Sequence, residues 1–236
     1  MKKMMAFLFL PALLFTSCDQ GRCIRGNKDL ITETRSTPGF SGLVSKGSLD
    51  VRVISSDTRE IRIDAESNLL PYIQTFVDDG DLIIKVRENR CLMENYTIQV
   101  TVYTPDIERL RLDGSGDIEA DRLSGNRVEV SLSGSGDIKT GIDARYLNTY
   151  LSGSGRITLH GITRESDMKI SGSGDIKAYE LVQETCFATI SGSGNMYLNV
   201  SKLLDVSITG SGDVYYRGNP TINSRITGSG KVYHTW

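Results

Sequence analysis

Proline, histidine and aromatic residues are scarce in this chain, with 5 Pro, 2 His and 7% Phe, Trp and Tyr among 236 residues. Two histidines, His160 and His234, leave little material for imidazole catalysis or a histidine-rich metal site, and each reads as a surface residue. Neither sign of charge dominates, since 27 Lys and Arg stand against 29 Asp and Glu, so nothing favours nucleic acid or an anionic membrane as a partner. Disorder is excluded by the 39% of hydrophobic residues, enough for a core. Glycine is abundant at 24 residues, a balance that fits tight turns between short strands and excludes long helices.

The chain opens with Lys2 and Lys3, an apolar run from Met4 to Phe15, and small residues before Cys18, the layout of an export signal over residues 1–17. The apolar run is too short to span a bilayer as a mature helix. Leu14-Phe15-Thr16-Ser17-Cys18 resembles a bacterial lipobox, with Phe15 where that pattern usually has Leu. Lipidation of Cys18 is therefore expected, with an N-terminal lipid anchor in the membrane. Loss of the signal removes two lysines and leaves a net charge of −4. Cys23, Cys91 and Cys186 match no zinc or CxxC spacing. A Cys23–Cys91 bridge suits an oxidising envelope, and an unpaired Cys91 in a loop is the alternative.

Gly-Ser-Gly recurs seven times, starting at Gly114, Gly134, Gly153, Gly172, Gly192, Gly210 and Gly228, at intervals of 18 to 20 residues. The flanks keep step. Two residues before each copy stands Leu112, Leu132, Leu151, Ile170, Ile190, Ile208 or Ile226, and four residues after its first glycine stands Ile118, Ile138, Ile157, Ile176, Met196, Val214 or Val232. Six before it, a mostly apolar column of Glu108, Val128, Leu147, Ser166, Cys186, Leu204 and Ile222 alternates with polar neighbours such as Glu129, Asp167 and Asp205. Period two means strands with one face inward. Leu123, Ile142, Ile162 and Leu181 are expected to supply a third inward face.

Ordering one such unit costs roughly 20–40 kcal/mol of backbone entropy. Four or five inward aliphatics return only about 1.5–3 kcal/mol each, so no unit folds alone. Stacking lets each strand hydrogen-bond above and below, which predicts a parallel β-helix over residues 109–236. Residues 36–108 carry strand alternation at Leu49-Val51-Val53, Ile61-Ile63, Leu82-Ile84-Val86 and Ile98-Val100-Val102, with an Asp79-Gly80 hairpin signal. They are expected to cap the helix, and residues 18–35 to form a polar tether.

The repeated S-G-S-G-D-I units at Ser133–Ile138 and Ser171–Ile176, S-G-S-G-N-M at Ser191–Met196, and the preceding V-D-D-G-D-L-I hairpin resemble the auto-transporter adhesin, head GIN domain family. The resemblance covers roughly residues 36–236 and implies an all-β, right-handed parallel β-helix in a lipoprotein or secreted protein of Bacteroidetes, with no established ligand or catalytic residue.

Gly-Ser-Gly is no dinucleotide fingerprint, because the sixth position is never glycine and no helix pattern follows. Asp117, Asp137, Asp175 and Asp213 recur after the motif, but Arg156, Asn195 and Lys231 interrupt any continuous ion stack. A lyase or glycosidase using Asp117 and Asp137 on adjacent coils is the competing reading, and local turn hydrogen bonds are the simpler one. The outward column after the buried Ile/Val column holds Lys139, Lys177, Tyr197, Tyr215 and Tyr233, a candidate contact surface or a ladder that merely stabilises the sheet. No metal, cofactor or catalytic residue is expected. The expected function is a non-catalytic cell-envelope lipoprotein, adhesin-like or scaffolding, whose partner is a glycan or an envelope protein.

Overall fold

The computed structural model describes residues 23–105 and 107–236. Strands dominate: β1 (Cys23–Arg25), β2 (Leu30–Arg35), β3 (Gly42–Gly47), β4 (Asp50–Ser55), β5 (Glu60–Glu66) and β6 (Ile73–Asp78), then β7 (Asp81–Val86), β8 (Cys91–Met93) and β9 (Gln99–Thr104). The repeats follow as β10 (Arg109–Gly114), β11 (Ile118–Gly134), β12 (Asp137–Gly153), β13 (Arg156–Gly172), β14 (Asp175–Gly192), β15 (Met196–Gly210), β16 (Val214–Arg217), β17 (Thr221–Gly228) and β18 (Val232–His234). Among the described residues no helix is long and apolar enough to cross a membrane.

From β10 onward each strand pairs parallel with its counterpart one coil away, giving a parallel β-solenoid with coils of about 19 residues. Register follows the motif, with Gly134 beside Gly153, Gly153 beside Gly172 and Gly172 beside Gly192. Each coil has three faces: a short sheet after the Gly-Ser-Gly corner, a middle sheet, and a longer sheet leading into the next corner. The inward columns Leu112 to Ile208, Ile118 to Val214 and Val128 to Leu204 are buried end to end. In the last described coil Ile222 and Ile226 are 38% and 40% exposed, because only one neighbouring coil covers them.

The first glycine of each corner is required by geometry. Gly172 has φ +130°, and a Cβ there would lie 2.4 Å from the carbonyl oxygen of Gly153 in the adjacent coil. That oxygen accepts hydrogen bonds from the N–H groups of Ser173 and Gly174, at 2.9 and 3.0 Å. The same contact recurs at every repeat, so the corners form one spine of glycine over glycine.

Three expectations are corrected. Ile162 is 58% exposed, whereas Leu123, Ile142 and Leu181 are buried. Gly161 occupies the register position between Ile142 and Leu181, and the next residue, Ile162, therefore points outward beside Val182. Residues 36–108 do more than cap. β3 pairs parallel with β10 and with β7, and β4 with β11 and with β9, so two further coils continue the stack. Gly47, at φ +101°, makes the corner between β3 and β4, with Leu49 where the motif has its second glycine. The cap proper is antiparallel: β6 on β7 through a turn with positive φ at Asp79 and Gly80, β5 on β9, and β2 on β5.

The expected tether is likewise structured from Cys23. Strands β1 and β8 pair, and a Cys23–Cys91 disulfide joins them, which settles the pairing left open by spacing. Glu66 is buried and accepts hydrogen bonds from the backbone N–H of Lys28 and Asn95 and from the Asn95 side chain. Burial pushes its pKa up, yet these donors outweigh burial and hold it below the usual carboxylate value. With β2 paired on β5 and Asn27 hydrogen-bonded to Ser67 and Asn68, these contacts fasten the N-terminal stretch to the capped end of the solenoid.

Candidate functional site

Tyr197, Tyr215 and Tyr233 fall in one register column on three successive coils. Their rings are nearly parallel, with centroids 5.2 and 5.1 Å apart, and Tyr179 meets Tyr197 edge-on at 5.6 Å. Parallel rings so close must be offset-stacked, so each face of Tyr215 is covered by a neighbouring ring. The column offers edges and hydroxyls rather than open faces. Burial raises the pKa of Tyr197 and Tyr215, with nearby carboxylates adding to it, which keeps both phenols protonated. Farther down the same column Lys139 pairs with Glu119 at 3.1 Å, while Lys177 has no ion pair among the described residues. Tyr215→Ala is expected to lower stability by about 1–2 kcal/mol in urea unfolding through loss of two stacking contacts. Its far-ultraviolet circular dichroism should stay unchanged, because Ile208 and Val214 fill the core beneath.

Three of the four recurrent acids serve the backbone, while Asp137 pairs with the Arg156 guanidinium at 3.2 Å. The N–H of Asp137 donates to Asp117 Oδ1 at 3.0 Å, that of Asn195 to Asp175 Oδ1 at 3.1 Å, and that of Lys231 to Asp213 Oδ1 at 2.8 Å. Asp213 N–H donates to Asn195 Oδ1 at 3.0 Å, so asparagine replaces aspartate without loss of the bond. Asp50 extends the column into the coil of β3 and β4 by accepting from Asp117 N–H. These side chains cap N–H groups at the corner exit, where coil-to-coil strand pairing has not resumed. Among the described residues no three His, Cys, Asp or Glu side chains are grouped to hold a metal. Cys186 is fully buried, its thiol pushed up to about 12 by desolvation, so it stays neutral and unreactive. Cys18 lies outside the described residues.

Column logic missed the face leading into the corner. A depression of about 490 Å³ there is lined by Arg127, Glu129, Asn148, Tyr150, Asp167 and Lys169. Two smaller ones lie on the same face, about 110 Å³ beside Asp81, Arg109 and Arg111, and about 230 Å³ beside Asp205, Ser207, Asn223 and Arg225. All three follow the two outward columns that run through Glu129, Asn148, Asp167 and Phe187 and through Ser131, Tyr150, Lys169 and Thr189. Tyr150 and Phe187 are 44% and 39% exposed, and neither ring stacks on another among the described residues. Each aromatic occurs once in its column, so repetition gave no signal; the only clue was their place at outward positions of alternating strands.

A tightly filled parallel β-solenoid whose repeated carboxylates bond to backbone or to a neighbouring arginine, and whose outer faces are flat and regular, belongs to the class of repeat scaffolds that present surfaces. The chain belongs to the family described as "Putative auto-transporter adhesin, head GIN domain", whose model matches residues 39–220. No curated protein is similar enough in sequence to match it. Among solved structures, a "putative adhesin" from Bacteroides fragilis is 22% identical with a TM-score of 0.82, covering 90% of this chain and 100% of that one. A "putative lipid binding protein" from Parabacteroides distasonis is 24% identical with a TM-score of 0.78, covering 91% and 100%. A "putative adhesin" from Parabacteroides merdae is 22% identical with a TM-score of 0.67, covering 91% and 99%. At these identities the likeness concerns the fold.

Proposed function

We propose that the protein is a non-catalytic, adhesin-like binding or scaffolding module of the cell envelope, tethered by lipid on Cys18. The observation that carries the non-catalytic reading is the acidic column: Asp117, Asp175 and Asp213 already accept backbone N–H groups, and Asp137 is paired with Arg156. A glycosidase on adjacent coils needs two carboxyl groups free to act on substrate, one as acid and one as base or nucleophile. Family membership supports a binding role, and the adhesin names of the similar solved structures point the same way. Its partner is a glycan or an envelope protein.

Incubation of the purified protein with pooled polysaccharides is expected to give no new reducing ends or unsaturated products. Turnover that disappears in Asp137→Asn would replace the binding reading with an enzymatic one. For the anchor, Cys18→Ala is expected to move the protein from the membrane fraction to the soluble fraction, since no other apolar run is long enough to hold it. Retention of that variant in washed membranes would refute lipid tethering.

A further inference from the structure

The stacked tyrosines have covered faces, whereas Tyr150 and Phe187 stand on the opposite side of the corner, exposed and with no ring stacked on them among the described residues. Tyr150 pairs in register with Lys169 of the next coil, and Phe187, one coil further, pairs with Asp167, so the two residues are two coils apart along the axis and two positions apart along the strand. Two strand spacings are roughly 9.6 Å and two residues of strand roughly 6.7 Å, which sets the two positions roughly 12 Å apart on a diagonal. Each unit of an extended β-linked pyranose chain advances by close to one strand spacing, so side chains of this length bring the rings within reach of sugars two units apart on a chain that crosses the coils obliquely. Between them lie Asn148, Asp167 and Lys169, with Glu129 at the lower end, an alternation of acceptors and donors suited to sugar hydroxyls.

Charge decides which sugar polymer fits. The cations of this face are largely engaged already: Arg109 with Asp81 at 2.6 Å, Arg111 with Asp113 at 2.9 Å, Lys169 with Asp167 at 2.7 Å, and Arg127 over the Tyr146 ring at 5.5 Å. A polyanion would have to break these pairs and would meet unscreened carboxylates. A neutral chain loses nothing to them. Aromatic faces take the C–H faces of pyranose rings, and the paired charges remain as hydrogen-bonding groups.

Building on the binding-module reading above, we infer that the sheet face leading into the Gly-Ser-Gly corner is a binding site for a neutral, linear β-linked oligosaccharide. Tyr150 and Phe187 are its aromatic platforms, and Glu129, Asn148, Asp167 and Lys169 are its polar row. The chain crosses successive coils obliquely to the solenoid axis.

Calorimetric titration of the protein with cellohexaose, xylohexaose, mannohexaose and chitohexaose, with oligogalacturonate as the anionic counterpart, tests this. At least one neutral hexasaccharide is expected to bind saturably, with affinity little changed by added salt. Tyr150→Ala and Phe187→Ala should each weaken that binding on the order of tenfold, Tyr150→Trp should retain it, and Tyr215→Ala on the other face should leave it unchanged. Circular dichroism of the exposed-residue variants should match that of the parent chain. The inference fails if no neutral hexasaccharide binds, if oligogalacturonate binds in their place, or if binding survives both alanine variants. Such a failure is separate from failure of the binding-module reading, which would show as polysaccharide turnover lost in Asp137→Asn.

Discussion

Ile170→Asp is expected to destabilise the solenoid by at least about 4 kcal/mol, enough to leave much of the chain unfolded or aggregated at physiological temperature. Ile170 is 1% exposed and stands in register between Leu151 and Ile190, both fully buried. An aspartate there loses the apolar contact and places a carboxylate where the neighbouring coils supply only aliphatic groups. Ionised, it is unpaired in a dry core; protonated, it lacks a hydrogen-bond partner. The preceding residue is the control. Lys169 faces solvent, with about half of its side chain exposed, and Lys169→Asp removes one surface ion pair with Asp167. That loss should cost about 1 kcal/mol or less. Urea unfolding followed by circular dichroism separates the two variants, and equal tolerance would show that the inward column is misassigned.

The second large effect concerns the corner. Gly172→Ala is expected to cost about 3 kcal/mol or more, from a side chain held at positive φ and from collision with Gly153 of the adjacent coil. With φ +130° and a Cβ 2.4 Å from a backbone oxygen, the substitution can be accommodated only by separating the two coils at that edge. Separation would break the bonds that the Gly153 oxygen accepts from Ser173 and Gly174. Ser173→Ala, one residue along on the exposed side of the same corner, should change stability by no more than a few tenths of a kcal/mol. A Gly172→Ala midpoint indistinguishable from that of Ser173→Ala would remove the glycine spine from the account of the fold.

Much of this architecture was legible because every coil faces the same constraint. A residue buried in one coil sits above and below residues under identical packing demands, so Leu112, Leu132, Leu151 and Ile170 repeat as a column. Legibility failed where repetition stopped. The corner at Gly47 went unseen because Leu49 breaks the tripeptide, and the strands of its coil are separated from β10 by residues 56–108. Ile162 was misread because Gly161 takes the inward position that Ile142 and Leu181 hold in the adjacent coils, so the aliphatic residue next to it falls on the outward face. The polar N-terminal stretch gave no hydrophobic pattern, since its order comes from a disulfide and from a buried carboxylate contributed by distant residues.

The contact surfaces divide in the same way. Sequence placed Tyr197, Tyr215 and Tyr233 in one outward column, and their spacing follows from strand geometry. Whether an aromatic ring is free to meet a ligand depends on its tilt against its neighbours, and only the folded arrangement shows that these three stack on one another. Tyr150 and Phe187 carried no periodic signal and became neighbours across two coils only once register was set. By itself the sequence determined the solenoid, the inward columns and the glycine corner, because each is a local demand repeated coil after coil. The tertiary structure decided the order of the N-terminal coils, the antiparallel cap, the use of the aspartates as backbone caps and the identity of the open aromatic face. Those depend on which distant segments meet, and no local pattern encodes that meeting.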